Sequence, residues 1–224
     1  MRKWAFSMRM SVLCMAILAA WSPPVVVRAD APVAAAAPLV VNGGFEDWQA
    51  APDALQEAID CHQLPTGWSL TQGLIGKNYS VACDSDVKHD GNSALRLANT
   101  DTKGGLYVAQ RVPAEPETRY KIGFWLKGQN IDSYSPKGVV VHVVASSQSD
   151  LKDGNQWAGN LGDAYQTPSP NGGTFDWHSM VFTFDTPLNA RSISLRVNMN
   201  GAGTLWLDDV EIIPLEKCIE VESY

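Results

Sequence analysis

The chain has 224 residues, of which 45% are hydrophobic and 18% charged, and 24 acidic against 17 basic side chains give a formal net charge of −7. This length is sufficient to bury a real core, and the composition excludes a disordered or low-complexity protein. Because the body is acidic, it lacks the positive surface that binds phosphate backbones or anionic lipid, which argues against nucleic acid and membrane surfaces as partners.

The first thirty residues predict a secretory signal peptide. Three basic residues precede an apolar run, 10–21, that is short for a membrane span, and Val27-Arg28-Ala29 resembles a small-residue cleavage site. We expect residues 1–29 to be removed and 30–38 to form a flexible leader. The mature protein is then secreted and does not insert into a membrane; an uncleaved N-terminal anchor is the alternative.

Alternation of apolar and polar residues with period two dominates the chain from residue 39 onward. It is clearest where Ile193, Leu195 and Val197 alternate with polar side chains. Short strands separated by Gly, Pro, Asn and Asp predict an all-β antiparallel sandwich. The predicted strands are 39–41, 93–97, 107–112, 120–127, 138–146, 177–184, 191–198 and 204–213.

The rest of the chain predicts little regular structure. One short helix is expected at 53–60, after Pro52 and within an N-terminal insertion. The polar stretch 147–174 is long for a connection, which is typical of a binding loop or a disordered segment. We therefore expect one domain over 39–214 and a C-terminal tail over 215–224.

Three cysteines follow the predicted signal peptide: Cys61, Cys83 and Cys218. In an oxidising compartment an odd number predicts one bridge and one remaining thiol. We favour a Cys61–Cys83 disulfide, since both residues flank one loop-rich region, and closing that loop would contribute about 3 kcal/mol. Cys218 is free, pairs between chains, or replaces one member of this pair.

A series of motifs runs through the chain in a defined order. They are V-N-G-G-F-E at 41–46, P-T-G-W at 65–68, D-G-N-S-A-L at 90–95, the strand 120–127, Trp177 before a Phe-rich strand, and G-T-L-W-L-D-D-V at 203–210. This order resembles the CenC-type carbohydrate-binding modules, grouped with families four, nine and twenty-two. The resemblance implies a galactose-binding-like jelly roll that holds a glycan on a sheet face or at a loop edge.

The resemblance also implies a structural calcium ion where three of these segments meet. Its ligands would be the side chains of Glu46 and Asp208, with carbonyls from Gly44 and the Asp90 turn. Calcium takes several oxygen ligands of this kind. In the alternative reading, Asp90-Gly91 is only a turn and Glu46 a solvated charge.

The expected glycan site combines flat aromatic rings with planar hydrogen-bonding side chains. The polar faces of the predicted strands carry Trp125, Arg196, Asn198 and His142, which are expected to form one strip with Trp125 as the stacking platform. The alternative is that Trp125 covers a strand edge or lies under a loop. The second set of candidates lies in the long polar stretch. Its members are Trp157 and Tyr165.

No catalytic signature accompanies these residues. The chain has no G-x-S-x-G, H-E-x-x-H or phosphate-binding glycine motif. Adjacent acids such as Asp208 and Asp209 point to opposite faces of a strand, so they do not flank one glycosidic bond. We expect a secreted, non-catalytic protein that binds a β-glucan or xylan-like polysaccharide. The alternatives are a structural or cell-surface interaction domain, and a jelly-roll glycoside hydrolase or polysaccharide lyase.

Overall fold

The computed structural model describes residues 37–53, 56, 61–71, 78–102, 104–132, 138–150 and 158–217. Within these ranges, no helix has the length and apolar character needed to cross a membrane. The predicted signal peptide and the predicted C-terminal tail beyond residue 217 lie outside the described residues.

The described residues form twelve β-strands, arranged as two five-stranded antiparallel sheets and one small two-stranded ribbon. Sheet 1 has the strand order β3-β6-β11-β8-β9, sheet 2 the order β10-β7-β12-β5-β4, and the ribbon pairs β1 with β2. The strands are β1 Trp48–Ala50, β2 Gln63–Pro65, β3 Ser69–Thr71, β4 Tyr79–Asp84, β5 Ala94–Asn99, β6 Gly105–Pro113, β7 Thr118–Asp132, β8 Val139–Ser146, β9 Asn160–Gln166, β10 Gly173–Asp185, β11 Ser192–Asn200 and β12 Ala202–Lys217.

The core lies between the two sheets and follows the predicted alternation. Strand β11 contributes Ile193, Leu195 and Val197 from sheet 1, while β7 contributes Ile122 and Phe124 from sheet 2, and these side chains are almost wholly buried. Because neighbours on a strand point to opposite faces, this burial sends the intervening polar residues outward. The predicted all-β jelly-roll sandwich is confirmed.

The structure corrects two predicted elements. Residues 39–41 form no strand, because the Gln110 side chain takes the place of a partner: its Oε1 accepts from the Val41 N–H and its Nε2 donates to the Val41 carbonyl, each at 2.8 Å. The polar stretch 147–174 is not one loop, because it contains the edge strand β9 and the start of β10. Strand β9 escaped prediction since its half-exposed position at the sheet edge requires no apolar alternation.

The structure does not contain the predicted disulfide, and it describes only two residues of the predicted helix. Cys61 and Cys83 are not bonded to each other: the Cys61 sulfur is buried 3.2 Å from the Gln63 carbonyl oxygen, whereas Cys83 carries a free, exposed thiol on β4. Cys218 lies outside the described residues. Of the predicted helix, Asp53 and Gln56 are described and helical.

The N-terminal segment is fastened to the last strand by a close approach of two backbones. The Val210 N–H donates to the Gly43 carbonyl at 2.9 Å, and a Cβ added to Gly43 would overlap with the Val210 carbonyl. The Trp68 indole donates to the Asn42 carbonyl at 3.1 Å and packs against Phe45. Glycine at position 43 therefore allows the N-G-G-F-E segment to lie directly on β12.

Replacing Gly43 with alanine should destabilise the fold, because backbone atoms must move apart to admit the methyl group. We expect Gly43→Ala to lower the free energy of unfolding by about 1–3 kcal/mol, measured by urea denaturation. Gly162→Ala is the matched control, since no atom lies within 4 Å of its added Cβ. Equal stability of the two variants would contradict this role for the Gly43 contact.

Candidate functional site

The outer face of sheet 1 brings four of the predicted glycan residues together. The strand register places Tyr165 beside His142 and His142 beside Arg196, in one row across β9, β8 and β11. Asn198 follows on the same face of β11, opposite Tyr107 of β6. We call Tyr107, His142, Tyr165, Arg196 and Asn198 the tyrosine–arginine face.

An arginine and a tyrosine interact at one end of this face. The Arg196 guanidinium carbon lies 4.2 Å from the centroid of the Tyr107 ring, and only 5% of the Arg196 residue is exposed. Such a cation–π contact holds a guanidinium in a fixed position. The guanidinium is thereby held on the outer side of β11, beside the ring that fixes it, and its Nε and one terminal nitrogen are buried there.

A histidine and the second tyrosine interact at the other end. The His142 and Tyr165 rings stack with centroids 3.9 Å apart, and His142 Nε2 lies 3.0 Å from an Asp163 carboxylate oxygen. His142 is 1% exposed, and burial lowers its pKa against the opposing effect of Asp163, while Arg196 lowers it further. Tyr165 is 56% exposed, so one aromatic ring is supported from below and open to solvent.

Asn198 carries an unsatisfied polar atom on this face. Its side-chain oxygen is buried and accepts no hydrogen bond from the described part of the chain. A buried acceptor without a donor costs free energy, and most such groups in native proteins are paired with a partner or with water. The face therefore carries an acceptor that no described group of the protein satisfies.

Trp125 does not belong to this face. It lies on β7 in sheet 2, so the expectation that it shares a strip with Arg196 and Asn198 is wrong. The His89 imidazole also stacks on its indole, with ring centroids 3.9 Å apart, and so covers one face of the expected platform. Trp157, the other predicted aromatic, lies outside the described residues.

The three segments expected around a calcium ion do meet. The Glu46 carboxylate accepts from the Asn92 N–H at 2.7 Å. The wholly buried Asp208 carboxylate accepts from the N–H groups of His89 at 2.9 Å and Asp209 at 2.8 Å. Burial raises the pKa of Asp208. The turn at 89–93 is thus held between the N-terminal segment and β12.

The donor set at this junction partly fits a cation. Asp208 makes no ion pair with a described basic side chain, although it is buried beside Asp209, whose carboxylate contacts His89. A buried carboxylate of this kind favours a proton or a cation nearby. Among the described residues, however, no group of three or more His, Cys, Asp or Glu side chains is arranged to hold a metal. Calcium held by Glu46, Asp208, Gly44 and Asp90 stays a prediction.

A comparison with known protein families identifies the family of this chain. Residues 37–204 match the model of the family CBM_4_9, described as a carbohydrate-binding domain. The chain belongs to this family. The predicted resemblance is confirmed, and the matched residues include every strand of sheet 1 and all of sheet 2 except β12 beyond residue 204. A comparison with curated proteins finds no match.

Solved structures similar to this chain include a carbohydrate-binding module and two longer chains from enzymes. The enzymatically active domain of tailspike protein 4 from bacteriophage CBA120 has a TM-score of 0.54 at 17% identity, over 80% of this chain and 21% of that one. An arabinose-bound GH51 α-L-arabinofuranosidase has 0.51 at 14%, over 80% and 27%. The module TmCBM61, in complex with β-1,4-galactotriose, has 0.47 at 17%, over 80% and 99%. This carbohydrate-binding domain thus spans only about a fifth to a quarter of the first two chains.

Two residues of the site escaped the sequence analysis. Tyr107 belongs to a correctly predicted strand, but Gln110 left open which side of that strand faces the core. The burial of Leu106, Val108 and Val112 shows that Tyr107 lies on the outer side. Asp163 lies on β9, whose sequence shows no alternation of apolar and polar residues from which a strand could be predicted.

The buried His142 should make the stability of this carbohydrate-binding domain depend on pH. Its folded-state pKa lies below the ordinary 6.5, so the unfolded chain binds the proton more readily. Stability should therefore be full above about pH 6.5 and fall as the pH drops toward the folded-state pKa. Urea denaturation between pH 7.5 and 4.5 should show a smaller loss for His142→Gln than for the wild type.

The exposed His62 provides the control for this measurement, since it lies outside the tyrosine–arginine face. His62→Gln should retain the pH dependence of the wild type. If His142→Gln has the same slope of stability against pH as the wild type, the buried imidazole is not its source.

Proposed function

We propose that this carbohydrate-binding domain is a secreted, non-catalytic protein that binds a polysaccharide on the tyrosine–arginine face. The observation that carries the proposal is the buried Asn198 oxygen, which accepts no hydrogen bond within the described residues. It lies between Tyr107 and the row formed by Arg196, His142 and Tyr165. A sugar hydroxyl donates to such an acceptor and accepts from a guanidinium. The family membership supports a glycan over any other polar ligand.

The two tyrosines supply the flat surfaces that a sugar ring requires. Tyr165 is exposed above the His142 ring, and Tyr107 is half-buried above Arg196. Aromatic rings bind apolar C–H faces, while the neighbouring polar groups fix the orientation of the ligand. We propose a β-glucan or xylan-like chain running across β9, β8, β11 and β6.

The small number of carboxylates on this face supports binding without cleavage. Among the described strand residues of sheet 1, Asp163 is the only acid, and it already pairs with His142. Most glycoside hydrolases use two carboxylates that flank the scissile bond. We therefore propose no hydrolase or lyase activity for this face.

Affinity electrophoresis against soluble β-glucans and xylans tests the proposed function. At least one glycan should retard the wild-type protein, and Tyr165→Ala should weaken binding about tenfold through loss of a stacking contact of about 1.4 kcal/mol. Asn198→Leu should also weaken binding, because the acceptor is removed. Trp125→Phe on sheet 2 is the matched control and should leave retardation unchanged.

Three results would contradict this proposal. If no polysaccharide retards the protein, the result favours a structural or cell-surface interaction domain. If retardation is lost with Trp125→Phe but kept with Tyr165→Ala, the site lies on sheet 2. Reducing sugars released on long incubation would indicate an enzyme.

We further propose that calcium binds where Glu46, Asp208, Gly44 and the Asp90 turn meet. Four carboxylates, those of Glu46, Asp90, Asp208 and Asp209, lie in the three segments of this junction, and Asp208 is wholly buried. Bound calcium would supply positive charge there and fasten the N-terminal segment to β12.

Thermal unfolding with and without a chelator tests the calcium proposal. A ligand that binds only the folded state raises the melting temperature, so the chelator should lower it and added calcium should restore it. Glu46→Gln should abolish this response, whereas the exposed Asp176→Asn on β10 should retain it. A wild-type protein that is loaded with calcium but insensitive to the chelator would refute the site.

A further inference from the structure

A second polar surface lies on the outer face of sheet 2, on the opposite side of the sandwich from the tyrosine–arginine face. Two grooves of about 280 and 460 Å³ adjoin there and share Ser80 and Arg96 in their linings. The strand register places Arg96 of β5 between Ala82 of β4 and Trp206 of β12. Ala82 and Arg96 both line the larger groove. We call these two grooves the Arg96 groove.

Arg96 has no hydrogen-bond or ion-pair partner in the described part of the chain. The nearby Asp84 interacts with it electrostatically without a hydrogen bond, and each oxygen of that carboxylate accepts from another group. Its Oδ2 accepts from the Trp206 indole at 2.8 Å, and its Oδ1 accepts from the N–H groups of Asp86 and Val87 at 3.0 Å. The five N–H donors of the guanidinium therefore remain available to a ligand.

Four of the polar side chains around Arg96 have the same property, whereas Asn99 and Asn130 make hydrogen bonds within the protein. Asn78, Ser80, Gln129 and Thr204 line the smaller groove, and none of their side chains makes a hydrogen bond within the described residues. Amide and hydroxyl groups in such a row match the alternating donors and acceptors of a saccharide. The groove offers hydrogen bonds along a chain of hydroxyl groups.

The charge of the Arg96 groove is opposite to that of the whole protein. No carboxylate lines either of the two grooves, although the chain carries a net charge of −7. Charges separated by more than about 8 Å are largely screened at physiological ionic strength, so the local guanidinium determines which groups bind. Arginine binds a carboxylate through two parallel hydrogen bonds.

We propose that the Arg96 groove is a second binding site and that it takes a sugar carboxylate, the uronate unit of an acidic saccharide. Arg96 holds the carboxylate, and the amide and hydroxyl side chains beside it hold the ring hydroxyls. The domain then binds two saccharide segments, one on each outer face. This site does not depend on the tyrosine–arginine face, since the two lie on different sheets.

Isothermal titration calorimetry with an oligomer of galacturonic acid tests the proposal. The wild-type protein should bind it saturably, and the neutral galactose oligomer of equal length should bind at least about tenfold more weakly, because a charge-assisted hydrogen bond contributes about 1.5–3 kcal/mol. Arg96→Gln should lose the preference for the acidic oligomer. Acetate at equal carboxylate concentration should not compete, since it lacks the hydroxyl groups.

Arg119→Gln is the matched control, because Arg119 is an exposed arginine of the same sheet that already pairs with Asp185. It removes the same charge and should leave binding unchanged. Equal weakening by both variants, competition by acetate, or no binding to the wild type would overturn the proposal. Tyr165→Ala separates the two sites: it should weaken binding of neutral polysaccharide about tenfold and leave binding of the acidic oligomer intact.

Discussion

Burial of the two inner sheet faces is the constraint on which every other feature of this domain depends. Because successive side chains of a strand point to opposite sides, packing Ile193, Leu195 and Val197 into the core forces Arg196 and Asn198 outward. A shift of register by one residue would bury the polar set and expose the apolar one. The free energy that fixes the core therefore also fixes the chemistry of both outer faces.

The polar outer residues of sheet 1 are held by each other and not by the core. Tyr107 covers Arg196, Tyr165 covers His142, and Asp163 bonds to the imidazole. These contacts order a surface that would otherwise be a set of mobile side chains, which reduces the entropy lost when a ligand binds. A rigid strand scaffold that presents ordered polar and aromatic groups suits the recognition of an extended chain.

The contacts of the aromatic and arginine side chains differ between the two outer faces. On sheet 2, Trp125 is covered by His89 and Trp206 is bonded to Asp84, so the tryptophans stabilise the sheet and the turn at 89–93. Arg96 on that sheet makes no hydrogen bond within the part of the chain that the structure describes. A large aromatic residue on a polar strand face is therefore weak evidence for a ligand until its neighbours are known.

The sequence alone determined the all-β sandwich, the alternation of inner and outer faces, and the family, because these depend on local periodicity and on the order of motifs. It also assigned Arg196, Asn198 and His142 to outer faces. Only the tertiary structure decided that these three share a sheet with Tyr107 and Tyr165, while Trp125 lies on the other. The physical reason is that alternation fixes the side of a strand, whereas strand order comes from hydrogen bonds between segments far apart in the chain.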